Sequence, residues 1–154
     1  MAGAPREVGD LESLRALVGT EAGVSGWLEV TQERVDTFAD ATRDHQWLHV
    51  DPVRAAQGPF GTTVAHGYLT LSLLPSFTQE IWSLGFGGAR VNYGLERVRF
   101  PSPVRVGARI RDRAHVESVT DVESGVRLAV RHTVEIDGSD RPACVATQLT
   151  LILA

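Results

Sequence analysis

With 154 residues, 43% of them apolar and 22% charged, the chain has the make-up of an ordinary globular protein and room for one domain, 1–154. A single cysteine, Cys144, excludes an intramolecular disulfide framework, and no apolar run reaches the ~18 residues of a membrane helix. The net charge of −4 argues against general nucleic-acid binding, and all 15 basic residues are Arg, which excludes Schiff-base lysine chemistry and lysine-anchored pyridoxal phosphate.

From the N-terminus, Met1 to Glu7 carries no apolar segment behind Arg6, so no secretory signal and a cytoplasmic location are expected. Residues 10–19 predict a short helix capped by Asp10 and stopped by Gly19. Trp27 to Val30 reads as a short strand. A second helix starts at the N-cap Thr31, has Gln32 and Glu33 in its first turn, presents Val35, Phe38 and Ala39 on one face, and ends near Arg43. Asp51-Pro52 opens a short helical piece that the Gly58-Pro59 breaker closes. The segment Ala65-His66-Gly67 through Leu74 is apolar almost all round, as a helix buried on most of its circumference would be, and Pro75 should kink or end it. Phe77 to Leu84 continues as an amphipathic stretch before the turn Gly85 to Gly88.

After Gly88 the period changes. Residues 91–100, 109–119, 126–136 and 143–153 alternate polar with apolar, the pattern of half-buried antiparallel strands, and the segments between them are rich in turn residues. Helices followed by a run of strands indicate an α+β domain. An antiparallel sheet curled around one buried central helix satisfies both patterns, which is the hot-dog fold.

Two stretches carry candidate chemistry. In the first, Asp44 and His49 stand five residues apart where a helix gives way to a loop, so the chain can turn back and bring carboxylate and imidazole together. Such a pair around one water can divide general acid and base duties, a contribution of ~10²–10⁴ in rate. In the second, Gly67 opens the buried helix, where free N–H groups and the positive end of the dipole point outward. Its N–H can approach a thioester carbonyl, and one such donor to an enolate oxygen contributes ~10²–10³.

Asp44, His49 and His66-Gly67, in that order and spacing, resemble the motif of the MaoC-like dehydratases, a family that includes the (R)-specific enoyl-CoA hydratases and the nodulation-protein-N-like proteins. The resemblance continues through Asn92-Tyr93-Gly94 and Val98 to Val104 and covers most of residues 30–153. It implies a hot-dog fold, a homodimer, and reversible hydration of a trans-2-enoyl-CoA to an (R)-3-hydroxyacyl-CoA. It assigns water activation and proton transfer to Asp44 and His49, and the thioester oxygen to the Gly67 amide; Trp47, His66 and Asn92 become candidate substrate-binding residues. No metal or redox cofactor is implied, CoA entering as part of the substrate. Where the common motif has Gly before the Asp, and Asn-Pro between Asp and His, this chain has Arg43, Gln46 and Trp47, a pattern closer to the nodulation-protein-N branch. A serine that serves some hydratases falls at Pro75, with Ser72 and Ser76 nearby.

Other readings of the same residues are blander. His45 and His49, four apart, could join Asp44 and Asp51 around a metal. His66 could support the helix start, and Trp47 could simply pack. His115 and His132 read as surface or sheet-face residues, Cys144 as a small buried hydrophobe, and Arg99, Arg105, Arg109, Arg111 and Arg113 as a solvated sheet face from which CoA phosphates could be met. The competing functions are a hot-dog acyl-CoA thioesterase and a non-catalytic acyl-thioester-binding subunit; the carrier could be CoA or an acyl-carrier protein.

Overall fold

The period-two runs form the long strands of one antiparallel sheet. The structure, a computed structural model, describes residues 3–154; Met1 and Ala2, part of the stretch expected to carry no secretory signal, lie outside the described residues. In chain order the elements are β1 (Arg6–Val8), α1 (Leu11–Ala16), β2 (Glu21–Val24), β3 (Leu28–Glu29), α2 (Gln32–Thr42), α3 (Trp47–Val50), α4 (Pro52–Ala56), α5 (Gly67–Ser72), α6 (Leu74–Ile81), β4 (Trp82–Leu84), β5 (Arg90–Arg99), β6 (Arg109–Val122), β7 (Gly125–Ile136) and β8 (Cys144–Leu153). The sheet runs β2-β6-β7-β8-β5, with β3 pairing β6 beside β2, and every neighbouring pair is antiparallel. Apart from it, β1 and β4 pair in parallel.

Strand alternation decides which residues face the helices. Ile110, Ala114 and Val116 of β6, Leu128, Val130 and Val134 of β7, and Cys144 and Ala146 of β8 are buried. Against them lie α5 and α6: Leu69, Leu73, Leu74 and Phe77 pack with Ile110, Val134, Cys144 and Ala146, while Ile81 packs with Ala114, Val116 and Val130. Burying a side chain the size of Phe77 contributes about 1.5–3 kcal/mol, so this contact line anchors α6, and α5 before it, on the sheet. The fold is the hot-dog: an antiparallel sheet around a buried central helix. No helix of the described residues is long and apolar enough to cross a membrane.

Pro75 does not end the central helix but divides it. Leu73 ends α5, and the chain resumes as α6 with Pro75 in the first turn, where its missing N–H has no acceptor to lose. The first helix is shorter than 10–19: Asp10 caps it, accepting from Ser13 N at 2.7 Å, but Leu17 already closes it. Three short strands carried no clear period and were not anticipated, namely β1, β2 and β4.

One expectation for the strands is corrected. His132 is not a surface residue: it is 1% exposed, at the inward position between Val130 and Val134, and its Nδ1–H donates to Asp112 Oδ2 at 2.6 Å. Arg109, Arg111 and Arg113 do lie on a solvent-accessible face, where they are paired. Glu135 accepts from Arg111 Nε at 2.7 Å and from Arg113 Nε at 3.0 Å, Glu21 pairs with Arg113, and Asp137 with Arg109. Arg109 and Arg111 also lie over the Trp27 ring.

Candidate active site

Helix α2 begins at Thr31, whose side chain accepts from Arg34 N at 3.2 Å, with Glu33 in the first turn complementing the dipole. It ends at Arg43, which takes the left-handed conformation, φ 61° and ψ 22°. That turn throws the chain off the helix axis and starts the return that carries Asp44 and, on the four-residue α3, His49. Asp51 then accepts from Arg54 N at 3.0 Å and caps α4.

The return brings Asp44 and His49 to His66, the residue before Gly67. One oxygen or nitrogen from each of the three lies within 4.8 Å of the other two. The imidazoles of His49 and His66 stack with centroids 3.8 Å apart. His66 is 3% exposed, whereas the Asp44 side chain is 51% exposed and its Oδ2 stands 3.9 Å from His66 Nε2. The group therefore sits at the surface with a buried back wall.

Hydrogen bonds assign the ring protons. His49 Nδ1 is 2.6 Å from the Val64 carbonyl, and a carbonyl only accepts, so Nδ1 carries the hydrogen and Nε2 is left as the acceptor of the neutral ring. By the same logic His66 Nε2 donates to the Asp44 carbonyl at 2.9 Å, tying the start of α5 to the turn before α3. His66 caps no N–H of α5 with its side chain, so its support of the helix start runs through Asp44 instead. Asp44 Oδ1 accepts from Gln46 N at 3.4 Å, which leaves His49 Nε2 and Asp44 Oδ2 to share a water.

Gly67 begins α5, next to His66, and the first N–H groups of a helix have no intrahelical acceptor. A Cβ here would lie 3.1 Å from the Phe100 ring, which packs on the glycine face. Glycine thus lets both Phe100 and an incoming carbonyl approach the backbone closely.

Trp47, on α3 with His49, and Asn92 make contacts of their own. Trp47 is half-buried under the Arg54 guanidinium, 4.5 Å from its ring centroid, and packs so closely on Gly58 that a Cβ there would meet it at 2.9 Å. Asn92 accepts from Gln148 Nε2 at 3.0 Å and lines a separate cleft of about 380 Å³ with Ser72 and Pro75. Two register breaks shorten β5 here: Asn92 lies opposite Thr150 and Arg99 opposite Val145, five residues of β8 or about 17 Å at 3.3 Å per residue, and the cleft also touches Leu71 and Ser72 of α5. The four-residue metal set does not assemble: His45 pairs with Asp40 at 2.8 Å and Asp51 caps its helix. Sequence reading missed the Val64 carbonyl, a backbone group with no sequence signal.

A family model described as MaoC like domain matches residues 14–137. The chain belongs to the MaoC-like dehydratase family. These MaoC-like proteins are lyases that hydrate or dehydrate, and the chain shares 49% identity over 142 residues with 3-hydroxyacyl-thioester dehydratase Z of Mycobacterium tuberculosis, covering 92% of this chain and 94% of that protein. Nodulation protein N of Rhizobium leguminosarum is 43% identical over 153 residues, covering 92% and 90%. The structure described as the (R)-hydratase from A. caviae involved in PHA biosynthesis has the same fold, with TM-score 0.71 at 20% identity, over 88% of this chain and 96% of that one. The nodulation-protein-N-like branch read from Gln46 and Trp47 is the branch in which these relatives fall.

Proposed function

We propose that the chain, as one domain over residues 1–154, catalyses reversible hydration of a trans-2-enoyl-CoA to the (R)-3-hydroxyacyl-CoA, with Asp44 and His49 as acid and base. The observation that carries this is the 2.6 Å contact of His49 Nδ1 with the Val64 carbonyl, which leaves Nε2 unengaged on a ring that has a nitrogen within 4.8 Å of an Asp44 carboxylate oxygen. In the forward step His49 Nε2 takes a proton from a water oriented by Asp44, and the hydroxyl bonds to C3. The C2–C3 π pair moves to the thioester, and the enolate oxygen meets the Gly67 N–H; return of a proton to C2 completes the addition of one water. The similarity to a 3-hydroxyacyl-thioester dehydratase supports the thioester substrate.

The same reading makes the protein a homodimer in the cytoplasm, acting on CoA or acyl-carrier-protein thioesters with no further cofactor. Among the described residues strand β5 pairs with β8 on one side only, and Val91, Tyr93 and Leu95 on it, with Phe100 just past its end and Tyr68 on α5, are large apolar side chains left exposed. An open apolar strand edge supports pairing with a second copy.

The deciding assay mixes the protein with crotonyl-CoA, follows the enoyl-thioester absorbance, and runs a thiol reagent in parallel. Cys144 does not interfere, because burial, and secondarily the charge of Asp112, push its thiol up to about 11. Loss of absorbance without free thiol, yielding the (R) alcohol, is expected. Thiol release would move the assignment to a thioesterase, and neither signal across several chain lengths would move it to an acyl-binding subunit.

A further inference from the structure

Gln32 is half-buried at the start of α2, and its side-chain amide is fully used. Its Nε2 donates to the His49 carbonyl at 2.7 Å and to Asp36 Oδ1 at 2.8 Å, while Oε1 accepts from Thr63 Oγ1 at 2.6 Å. A flipped amide would set oxygen against the His49 carbonyl and the Asp36 carboxylate, so the chemistry admits one orientation. Thr63 is 2% exposed and precedes Val64, the residue whose carbonyl holds the His49 ring. Val64 N also donates to the Leu48 carbonyl at 3.0 Å.

These contacts close a circuit. From Gln32 Oε1 it runs to Thr63, along the backbone to the Val64 carbonyl, across to His49 Nδ1, through His49 to its own carbonyl, and back to Gln32 Nε2. One side chain thus fixes both the backbone of His49 and the acceptor that sets its ring. The four-residue α3 has no side-chain cap and is too short to hold that geometry by itself. We infer that Gln32, through Thr63, is a positioning residue that holds His49 in its Nδ1–H tautomer with Nε2 aimed at the reacting water.

The inference rests on the Asp44–His49 reading, and its test separates the two. Gln32→Met keeps the length of the side chain and removes all three hydrogen bonds; Thr63→Val removes the hydroxyl and Thr63→Ser restores it. Gln32→Met should lower kcat by ~10–100-fold with KM changed less than about threefold, because the loss is one of alignment rather than binding. Thr63→Val should lower kcat by about fivefold or more, and Thr63→Ser should return it to within about twofold of the parent. Nitrogen-15 NMR of the imidazoles gives a readout that needs no substrate: His49 should be the Nδ1–H tautomer in the parent and move toward Nε2–H in Gln32→Met and Thr63→Val. If both variants melt earlier but keep kcat and the tautomer, the circuit only braces the fold and the inference is overturned. Should Gln32→Met not fold, the Val and Ser variants at position 63 carry the same test. Loss of activity in His49→Gln with full activity in Gln32→Met and Thr63→Val overturns this inference alone, whereas full activity in His49→Gln overturns the functional reading beneath it.

Discussion

Asp44 with His49, and Asp112 with His132, are the same two functional groups in opposite settings. The first pair stands on a turn and a four-residue helix, with the Asp44 side chain 51% exposed and His49 half-buried. The second lies across neighbouring strands β6 and β7 beneath α6, with side-chain exposures of 0% and 1%. Asp112 Oδ1 and His132 Nε2 have no hydrogen-bond partner among the described residues. The first pair has free atoms that water and substrate can reach; the second has free atoms that nothing outside can reach. Access, not the identity of the residues, separates a pair fit for proton transfer from one that only shapes the core.

The largest expected effects test that separation directly. Asp44→Asn and His49→Gln should each lower turnover by at least ~10² with unchanged circular dichroism. Near-parental turnover in either variant breaks the assignment. Variants of Asp112 and His132, assayed where they are still folded, should keep turnover per folded molecule.

The second pair should instead register in stability. Asp112→Ala leaves a buried imidazole without its partner, and breaking a buried pair in this way costs about 3–5 kcal/mol. The joint change Asp112→Val with His132→Leu should recover most of that loss, since filling the space with apolar groups removes the need to desolvate either polar one. Urea titrations of the single and double variants measure both. A single variant within 1 kcal/mol of the parent would show that the pair contributes little.

How these two regions could be read from sequence follows the same line. The sheet was legible because alternation is a local signal with a fixed period, and the caps Asp10 and Thr31 announced their helices by residue type. Alternation also carried information about His132: it shares a phase with Leu128, Val130 and Val134, and Asp112 shares one with Ile110, Ala114 and Val116. Polar residues in apolar slots on facing strands mark a buried pair. The spacing of Asp44, His49 and Gly67 was legible as a motif. The Val64 carbonyl and the Gln32 circuit were not, because they depend on which backbone passes beside α3, and a four-residue helix without a side-chain cap has no signature of its own. Asn92 entered by its place in a resembling segment, and the structure sets it on a cleft that also touches Leu71 and Ser72 of α5.

A smaller effect concerns the outer face of the sheet near the buried pair. Burial pushes the Glu135 carboxyl up, but hydrogen bonds from Arg111 and Arg113 outweigh it and hold the group below its ordinary value. A carboxylate with a depressed folded pKa stabilises fully above its unfolded pKa and loses that contribution as pH falls through the folded value. Stability should therefore decline as pH drops below the ordinary glutamate range, and Glu135→Gln should flatten part of that decline. Both partners are partly solvated, so the difference should be about 1 kcal/mol or less and should shrink in high salt. A pH profile unchanged by Glu135→Gln would show that the Arg ladder is held by shape alone.

The smallest effect sharpens the comparison at the site itself. Arg43, with φ 61°, ends α2 in a conformation that crowds any Cβ, at the position where the resembling motif carries glycine. The buried Asp112–His132 pair sits on strands with no such residue; among the described residues the other positive-φ position outside glycine, Arg97, lies at the irregular stretch of β5. Left-handed backbone costs a side-chain-bearing residue ~1–2 kcal/mol, while glycine brings back ~0.5–1 kcal/mol of unfolded-state entropy. Arg43→Gly should therefore stabilise by about 0.5 kcal/mol, a shift of ~2 °C or less in Tm for a chain of this size. Turnover should stay within about threefold, because His66 still holds the Asp44 carbonyl from the buried side. A fall of tenfold or more would mean that the stiff Arg43 turn, rather than the His66 bond, sets the direction of the Asp44 carboxylate, and that strain at this turn serves the chemistry.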